Sequence, residues 1–536
     1  MRVYGDYLYD NWNSSTGGIW NASNSVFNAQ YTWSNLDVPN VNIDAVFNIS
    51  SSSPYAVTIP GASIAKDVYV ENDNVNLDLS TFSSSINISG GTLTVGQTAS
   101  GGPASGFCNL SNGYYGGPPG TQNISAATVV VGGGTGGTGT GILIVGTGVN
   151  LSAGSTTITN GSLTIGNQPS QQAGTGGALI TPAVSVAAAG TLNVSAGATL
   201  TSSTGYPVLT ANGTVILANS TQTFSTFNGS GSVSLNATAL TVSAGGMFSG
   251  SITDGGTGSS LNLTGGMLTL SGSNSYSGGT GVGGGQLVIA AAHSLPAGSA
   301  LNITGGSVSV LPANTGSAVA LSIGQLNIST GTLNLNTNAL VIHGSSLATV
   351  WPLLQSGYNG GTWNGAGGIT SANATAGYLT AAGSGSGALY AIGAILNDTT
   401  GNFANASGTA LTSTFAGAST SAGDVLVKYT YYGDTNLSGT VDGSDYTNID
   451  NGYMNGLTGW YNGDFNYDGA VNGSDYTLMD NAYNTQGAQL STLIASPQAV
   501  ATDQIAFAPG TSVPEPASLG LIAMGAMGLL GRARRK

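Results

Sequence analysis

Ile86-Asn87-Ile88-Ser89-Gly90-Gly91-Thr92-Leu93-Thr94-Val95 contains two apolar–polar–apolar runs, 86–88 and 93–95, on either side of a glycine pair. The unit returns as Leu261-x-Leu263 with Leu268-x-Leu270, as Leu301-x-Ile303 with Val308-x-Val310, and as Leu326-x-Ile328 with Leu333-x-Leu335. Ile158 with Leu163-x-Ile165 is a weaker copy. Alternation at period two marks strands with one buried face. Gly90-Gly91, Asn160-Gly161 and Thr330-Gly331 supply the positive φ that tight corners need. Strands this short cannot bury a core alone, so they must stack on copies of themselves. A hairpin meander would use the same turns. The number of short strands and the near absence of helix pattern predict an all-β chain folded as a right-handed parallel β-helix over residues 86–395. Apolar side chains would fill its interior, and Ser, Thr and Asn would form outward ladders.

Composition agrees with that picture. The chain has 536 residues, 87 of them Gly, and only 5% are charged. Disordered chains combine low hydrophobicity with high net charge; here mean hydropathy is slightly positive, and polarity comes from hydroxyls and amides. Arg2, Lys66 and Lys428 are the only basic residues before a terminal cluster at 532–536. Nucleic acid is therefore excluded as a partner, because neutralising phosphates takes many cations. One cysteine, Cys108, rules out an intramolecular disulfide framework and reads as a small buried residue.

Residues 264–289 run Thr264-Gly-Gly-Met-Leu-Thr-Leu-Ser-Gly-Ser-Asn274-Ser-Tyr276-Ser-Gly278-Gly279-Thr280, and then through Gly284-Gly285 to Leu287-Val288-Ile289. This segment resembles the autotransporter-associated β-strand repeat of passenger β-helices, departing from it at Gly281-Val282-Gly283. No outer-membrane barrel follows, so autotransport is not implied. Residues 1–85 differ in character. Trp12, Trp20 and Trp33 cluster there with Tyr4, Tyr7 and Tyr9, and are read as a cap that seals the end of the solenoid. The other reading is an exposed aromatic strip that binds extracellular polysaccharide.

After a stretch of terminal strands and linker at 396–430, two ordered acidic segments occupy residues 431–486. The first is Asp434-Thr-Asn436-Leu-Ser438-Gly439-Thr440-Val441-Asp442-Gly-Ser-Asp445, and the second is Asp464-Phe-Asn466-Tyr-Asp468-Gly469-Ala470-Val471-Asn472-Gly-Ser-Asp475. Oxygen-bearing side chains fall at positions 1, 3, 5, 9 and 12 of each loop, Gly at 6 and a β-branched residue at 8. A hard cation such as Ca2+ takes six or more oxygens, and alternate residues of a tight loop can supply them. The carbonyls of Thr440 and Ala470 would contribute at position 7. Helices are expected to follow at Tyr446–Asn451 and Tyr476–Ala482, with Asp445 and Asp475 in their first turns. The pair resembles a type I dockerin module. That resemblance implies two Ca2+ ions, held by Asp434, Asn436, Ser438, Thr440, Asp442 and Asp445 and by Asp464, Asn466, Asp468, Ala470, Asn472 and Asp475. Ser438 stands where the family has an acid, so the first site is expected to be the weaker. A cohesin-like partner has thin support, from Gly443-Ser444 and Gly473-Ser474.

Past a linker at 487–512, the chain ends in Val513-Pro514-Glu515-Pro516, an apolar run from Ala517 to Gly531 broken only by Ser518, and Arg532-Ala533-Arg534-Arg535-Lys536. Fifteen helical residues span about 22 Å, short of a roughly 30 Å hydrocarbon core, but flanking basic residues can snorkel. The basic end predicts a cytoplasmic C-terminus with the rest of the chain outside. This tail resembles the PEP-CTERM sorting signal of Gram-negative bacteria. The resemblance implies processing by an exosortase-type membrane protease, a membrane association limited to the C-terminal helix, and release to the surface or exopolysaccharide matrix. Export also predicts an N-terminal signal peptide. Met1–Asp6 has no apolar h-region, so the signal is expected upstream of a misplaced start.

No catalytic set emerges from the sequence. Between Lys66 and Lys428 there is no Lys or Arg, and between Asp78 and Asp398 the sole acid is Asp254. A glycoside hydrolase needs two carboxylates about 5–9.5 Å apart. His293 falls in a turn without an orienting neighbour, and His343 reads as a strand-end residue. A non-enzymatic structural or adhesin-like surface protein is the expectation, with carbohydrate binding as the alternative.

Overall fold

The computed structural model describes residues 90–490, except 99, 112–121, 135, 167–175, 313–319, 385–387 and 400–407. Below residue 90 it describes 3–4, 7–12, 18–19, 43–47, 55–58, 62–79 and 85–88. The chain divides into two compact units, Met1–Ala495 and Ser496–Lys536, and every described residue lies in the first. That unit is mostly β, with parallel sheets curled into a half-barrel.

The repeated units do become strand pairs, and their pairing decides between meander and stack. Ser260–Leu263 and Met267–Leu270 belong to different sheets. The first pairs in parallel with Ala239–Val242 and Thr280–Val282, the second with Gly245–Phe248 and Gln286–Ile289. Each of these strands thus bonds to the corresponding strand of the neighbouring unit, and Gly265-Gly266 separates two sheets instead of closing a hairpin. In the first unit Ser85–Ile88 and Thr92–Val95 belong to one sheet, and Ile158 and Leu163 lie on one continuous strand, Val149–Ile165. The register mostly puts apolar on apolar: Leu263 lies opposite Val242 and Val282, and Leu268 opposite Leu287, while Leu261 lies between Leu240 and Thr280. Leu261, Leu263, Leu268 and Leu270 are all buried. Each such side chain contributes about 1.5–3 kcal/mol relative to an exposed one. Cys108 is part of the same interior, and burial pushes its thiol up to about 12.

The outward positions carry the expected ladders. Asn327 Nδ2 donates to Asn302 Oδ1 (2.8 Å), Asn150 Nδ2 to Asn123 Oδ1 (3.2 Å), and Ser125 Oγ to Asn87 Oδ1 (3.1 Å). Asn274 and Tyr276 of the autotransporter-like segment tie units together. Asn274 accepts from Ile252 N (2.8 Å) and donates to Ser294 O (2.6 Å), while the buried Tyr276 hydroxyl meets Thr280 Oγ1 (2.6 Å).

The glycines have a further role besides turning corners. A Cβ at Gly231 would overlap the carbonyl oxygen of Gly213, one at Gly250 that of Gly231, and one at Gly272 that of Gly250. Glycines stacked unit upon unit therefore form a column where successive backbones approach too closely for any side chain.

Asp254, the sole acid over that long stretch, is a corner staple. Its carboxylate accepts from Gly256 N (2.9 Å), Ser259 N (2.9 Å), Ser277 N (3.0 Å) and Ser277 Oγ (2.7 Å). Burial by itself would raise its pKa, but these hydrogen bonds outweigh burial and hold it at about 2. Asp254→Ala should cost about 1–3 kcal/mol by leaving buried donors unpaired, read as a lower Tm at pH 7. A depressed carboxyl stabilises the fold above its unfolded pKa and loses that contribution on protonation. The gap between wild type and variant should therefore close as pH falls from about 4 towards 2; equal Tm values at pH 7 would refute the staple.

The ladder reaches towards the N-terminus, where Tyr7–Trp12 pairs in parallel with Ile43–Phe47. The cap expectation concerns the side chains of Trp12, Trp20 and Trp33; Trp20 and Trp33 lie outside the described residues, and Trp12 is described by its backbone alone. The expectation of almost no helix fails at residues 345–384, where Leu347–Tyr358 and Ala372–Ser384 are helical. The first is capped by Ser346, whose side chain accepts from Thr349 N, and buries Leu347, Val350, Trp351 and Leu354 at helical spacing. Beyond it Gly367–Thr370 still pairs in parallel, with Gly331–Asn334, and the change of direction comes with the last long strand. Val425–Tyr431 runs antiparallel between Ala339–Ile342 and Tyr390–Leu396.

Candidate metal centre

The two acidic segments form two loop–helix units that pack on this antiparallel end. The helices run Gly443–Asn455 and Gly473–Thr485, starting earlier than the hydrophobic pattern indicates. Capping boxes explain the early start: Asp442 accepts from Ser444 N while Asp445 Oδ2 accepts from Asp442 N (2.9 Å). Asn472 and Asp475 repeat the arrangement. Positions 9 and 12 thus serve the helix N-terminus as well as the loop.

The units are related by a local pseudo-symmetry. Tyr446 OH donates to Asp480 Oδ1 (2.6 Å), and Tyr476 OH donates to Asp450 Oδ1 (2.5 Å). Between them lies a buried aromatic group. Trp460 packs edge-on against Phe465, with ring centroids 5.0 Å apart, and its indole N–H donates to Asp434 O (2.7 Å). Leu437 and Tyr467, at position 4 of each loop, adopt positive φ.

The two loops are closed by matching internal hydrogen bonds. Asp445 Oδ1 accepts from Thr435 N (2.9 Å), and Asp475 Oδ1 from Phe465 N (2.9 Å), drawing position 12 back over position 2. Asn436 Oδ1 accepts from Ser438 N, and Asn466 Oδ1 from Asp468 N (both 2.9 Å). The carboxyls are electrostatically unfavourable without a positive partner. Burial, then the nearby Asp434 charge, pushes Asp445 up to about 7. Burial, then Asp475 and Asp468, pushes Asp464 up to about 6. Burial also raises Asp434 and Asp475. Asp464 Oδ1 is buried and makes no hydrogen bond. Among the described residues no three acidic, imidazole or thiol side chains converge as a ligand set. A shell here would combine one or two carboxylates with amide, hydroxyl, carbonyl and water oxygens. Ca2+ accepts that donor set, and the unbonded Asp464 oxygen fits it.

Two groupings were not legible in the sequence reading. Lys428 is buried in the strand Val425–Tyr431, and its Nζ donates to Leu437 O (2.9 Å) in the first loop. A charged residue inside Val425-Leu-Val-Lys-Tyr-Thr-Tyr431 was the available signal. The second surrounds His343, which directly follows the strand Ala339–Ile342. Its Nε2 lies 2.9 Å from Ser322 Oγ, and its Nδ1 lies 2.9 Å from Asp424 Oδ2. Asp424 also accepts from Ser421 N (2.7 Å). These residues are 21 and 81 positions from His343, so only the fold unites them. His293 is exposed in a short turn.

The arrangement defines a β-ladder protein with a paired loop–helix module at its end. The PEP-CTERM protein-sorting motif matches residues 512–536, including Val513, Pro514, Glu515 and Pro516. The motif makes the chain an exosortase-sorted, exported surface protein with a transient membrane anchor. The structure of this tail lies outside the described residues, among which no helix is long and apolar enough to cross a membrane. The autotransporter-repeat and dockerin resemblances find no corresponding match. No curated protein and no solved structure matches the chain.

Proposed function

We propose that this protein is a non-enzymatic structural or adhesive component of the cell surface or exopolysaccharide matrix of a Gram-negative bacterium. In this reading its ladder is a right-handed parallel β-helix and its paired loops form a calcium-dependent end module. The observation that carries it is Asp254, whose carboxylate is committed to four donors at a corner and so offers no general acid or base. In the end module, calcium would supply the positive charge that the buried carboxylates lack. Asp464, Asn466, Asp468, Asn472, Asp475 and the Ala470 carbonyl would hold it in the second loop.

One observation favours a second reading. Ser322, His343 and Asp424 are linked as nucleophile, base and orienting acid are in serine hydrolases. Against it, Ser322 sits within the regular strand Ala320–Ile323 instead of on a sharp turn. The contacts also have a structural use: His343 and Asp424 flank the antiparallel pair Ile342–Val425 and fasten it. The test is a fluorophosphonate probe on the purified exported chain, followed by peptide mapping. No labelling at Ser322 and no ester hydrolysis are expected. Labelling lost in Ser322→Ala would establish the hydrolase instead.

A further inference from the structure

The two loops share a sequence pattern but differ in what surrounds them. In the first, Asp434 is saturated. Its Oδ1 accepts from Ser438 N (2.8 Å) and Ser438 Oγ (3.3 Å), and its Oδ2 accepts from Gly439 N (2.8 Å) and Thr430 Oγ1. The loop's carbonyls are also taken. Leu437 O receives the Lys428 ammonium, Ser438 O receives Gln489 Nε2 (3.2 Å), and Gly439 O receives Leu490 N (2.9 Å). Gln486 closes the edge by pairing both polar groups of its side-chain amide with Val441 N and O (2.8 Å each). The ammonium supplies the positive charge, and the segment 486–490 covers the loop.

The second loop has one comparable contact, from a neutral donor: Gln355 Nε2 donates to Tyr467 O (2.8 Å), the counterpart of Leu437 O. The position equivalent to Ser438 is Asp468, and Asp468, Gly469 and Ala470 are exposed. Thr458 stands six residues before Asp464, where Lys428 precedes Asp434, so no ammonium comes from that position. Asp464 is fully buried, its Oδ2 accepts from Gly469 N (3.1 Å), and its Oδ1 has no hydrogen-bond partner. One buried acceptor therefore remains for a cation, beside a solvent-facing carboxylate that gives the ion a way in.

We propose that the chain takes up a single Ca2+ ion, in the second loop, and that Lys428 and residues 486–490 hold the first loop in the same conformation without metal. This rests on the calcium reading above and replaces the two ions implied by the dockerin resemblance with one ion and one internal ammonium. A hard cation needs anionic oxygens that are not already spent on hydrogen bonds, and only the second loop offers a buried one. Lys428 fills its role because an ammonium is a compact charge with three donors.

The test counts ions on the full exported chain. Native mass spectrometry of calcium-titrated protein gives the number bound, and competition with a chromophoric chelator gives affinity. One ion is expected. Asp464→Asn should weaken binding by about a hundredfold and the exposed Asp468→Ala by about tenfold, since affinity follows ligand charge. Asp434→Asn should leave the count at one. Lys428→Met, which keeps bulk and removes charge, should open a second, weaker site. Two ions of similar affinity in the wild type would overturn the proposal, as would loss of the ion in Asp434→Asn and not in Asp464→Asn. No bound ion would remove the calcium reading itself. Circular dichroism checks that each variant folds, and Asp468→Ala keeps the test decisive if Asp464→Asn does not.

Discussion

Trp460→Ala should lower the stability of the full chain by about 3–5 kcal/mol, the cost of a large cavity in a well-packed interior. Its indole is fully buried among Tyr432, Phe465 and Tyr467. Gly393 leaves the space for it, since a Cβ there would overlap the indole ring and Leu437. The substitution also removes the donor to Asp434 O, leaving a buried carbonyl unpaired at about 1–3 kcal/mol. Both loops touch this ring, so they should loosen together. Chemical denaturation gives the stability, and near-UV circular dichroism should show the loss of the aromatic cluster's fixed packing. Trp460→Phe separates the contributions, because it retains much of the volume and loses the hydrogen bond. Independent behaviour of the loops in Trp460→Ala would contradict the shared core.

Gly250→Val should be at least as damaging, although it adds a side chain and deletes nothing. The added Cβ would meet the Gly231 carbonyl, which is backbone and cannot swing aside. Overpacking a core costs about 1–3 kcal/mol where side chains can shift; here two adjacent units must separate, so the loss should exceed that range. Gly255→Val is the control. It lies in a nearby turn at φ +61°, with nothing within 4 Å of its would-be Cβ. Its cost is limited to backbone strain of about 1–3 kcal/mol. Thermal melts of both variants decide the point. A smaller loss at Gly250 than at Gly255 would mean that the column tolerates side chains.

Much of this architecture could be read from the sequence, because it depends on neighbours in the chain. Leu261, Leu263, Leu268 and Leu270 announce their buried faces by alternation, and the loop acids by spacing. The helix Leu347–Tyr358 was obscured by the density of strand signals around it, although Val350, Trp351 and Leu354 carry its period. Contacts between distant residues were not legible. The Ser322–His343–Asp424 chain and the reach of Lys428 into the first loop depend on the reversal of strand direction at Val425–Tyr431. Nothing local specifies that reversal. The asymmetry of the loops was partly visible in Ser438, but the clasp by Gln486, Gln489 and Leu490 was not, since those residues follow the second helix and return to the first loop.

The parallel register has a consequence for how such a chain changes over generations. Leu261, Thr280, Leu301 and Leu326 succeed one another at equivalent places, each meeting only the unit before and the unit after. A duplication or deletion of one whole unit therefore presents its new neighbours with the same backbone edge and the same interior column. The ladder can lengthen or shorten by unequal recombination, with no compensating substitution in the loop–helix module. Reach becomes a matter of copy number, open to adjustment without passing through misfolded intermediates.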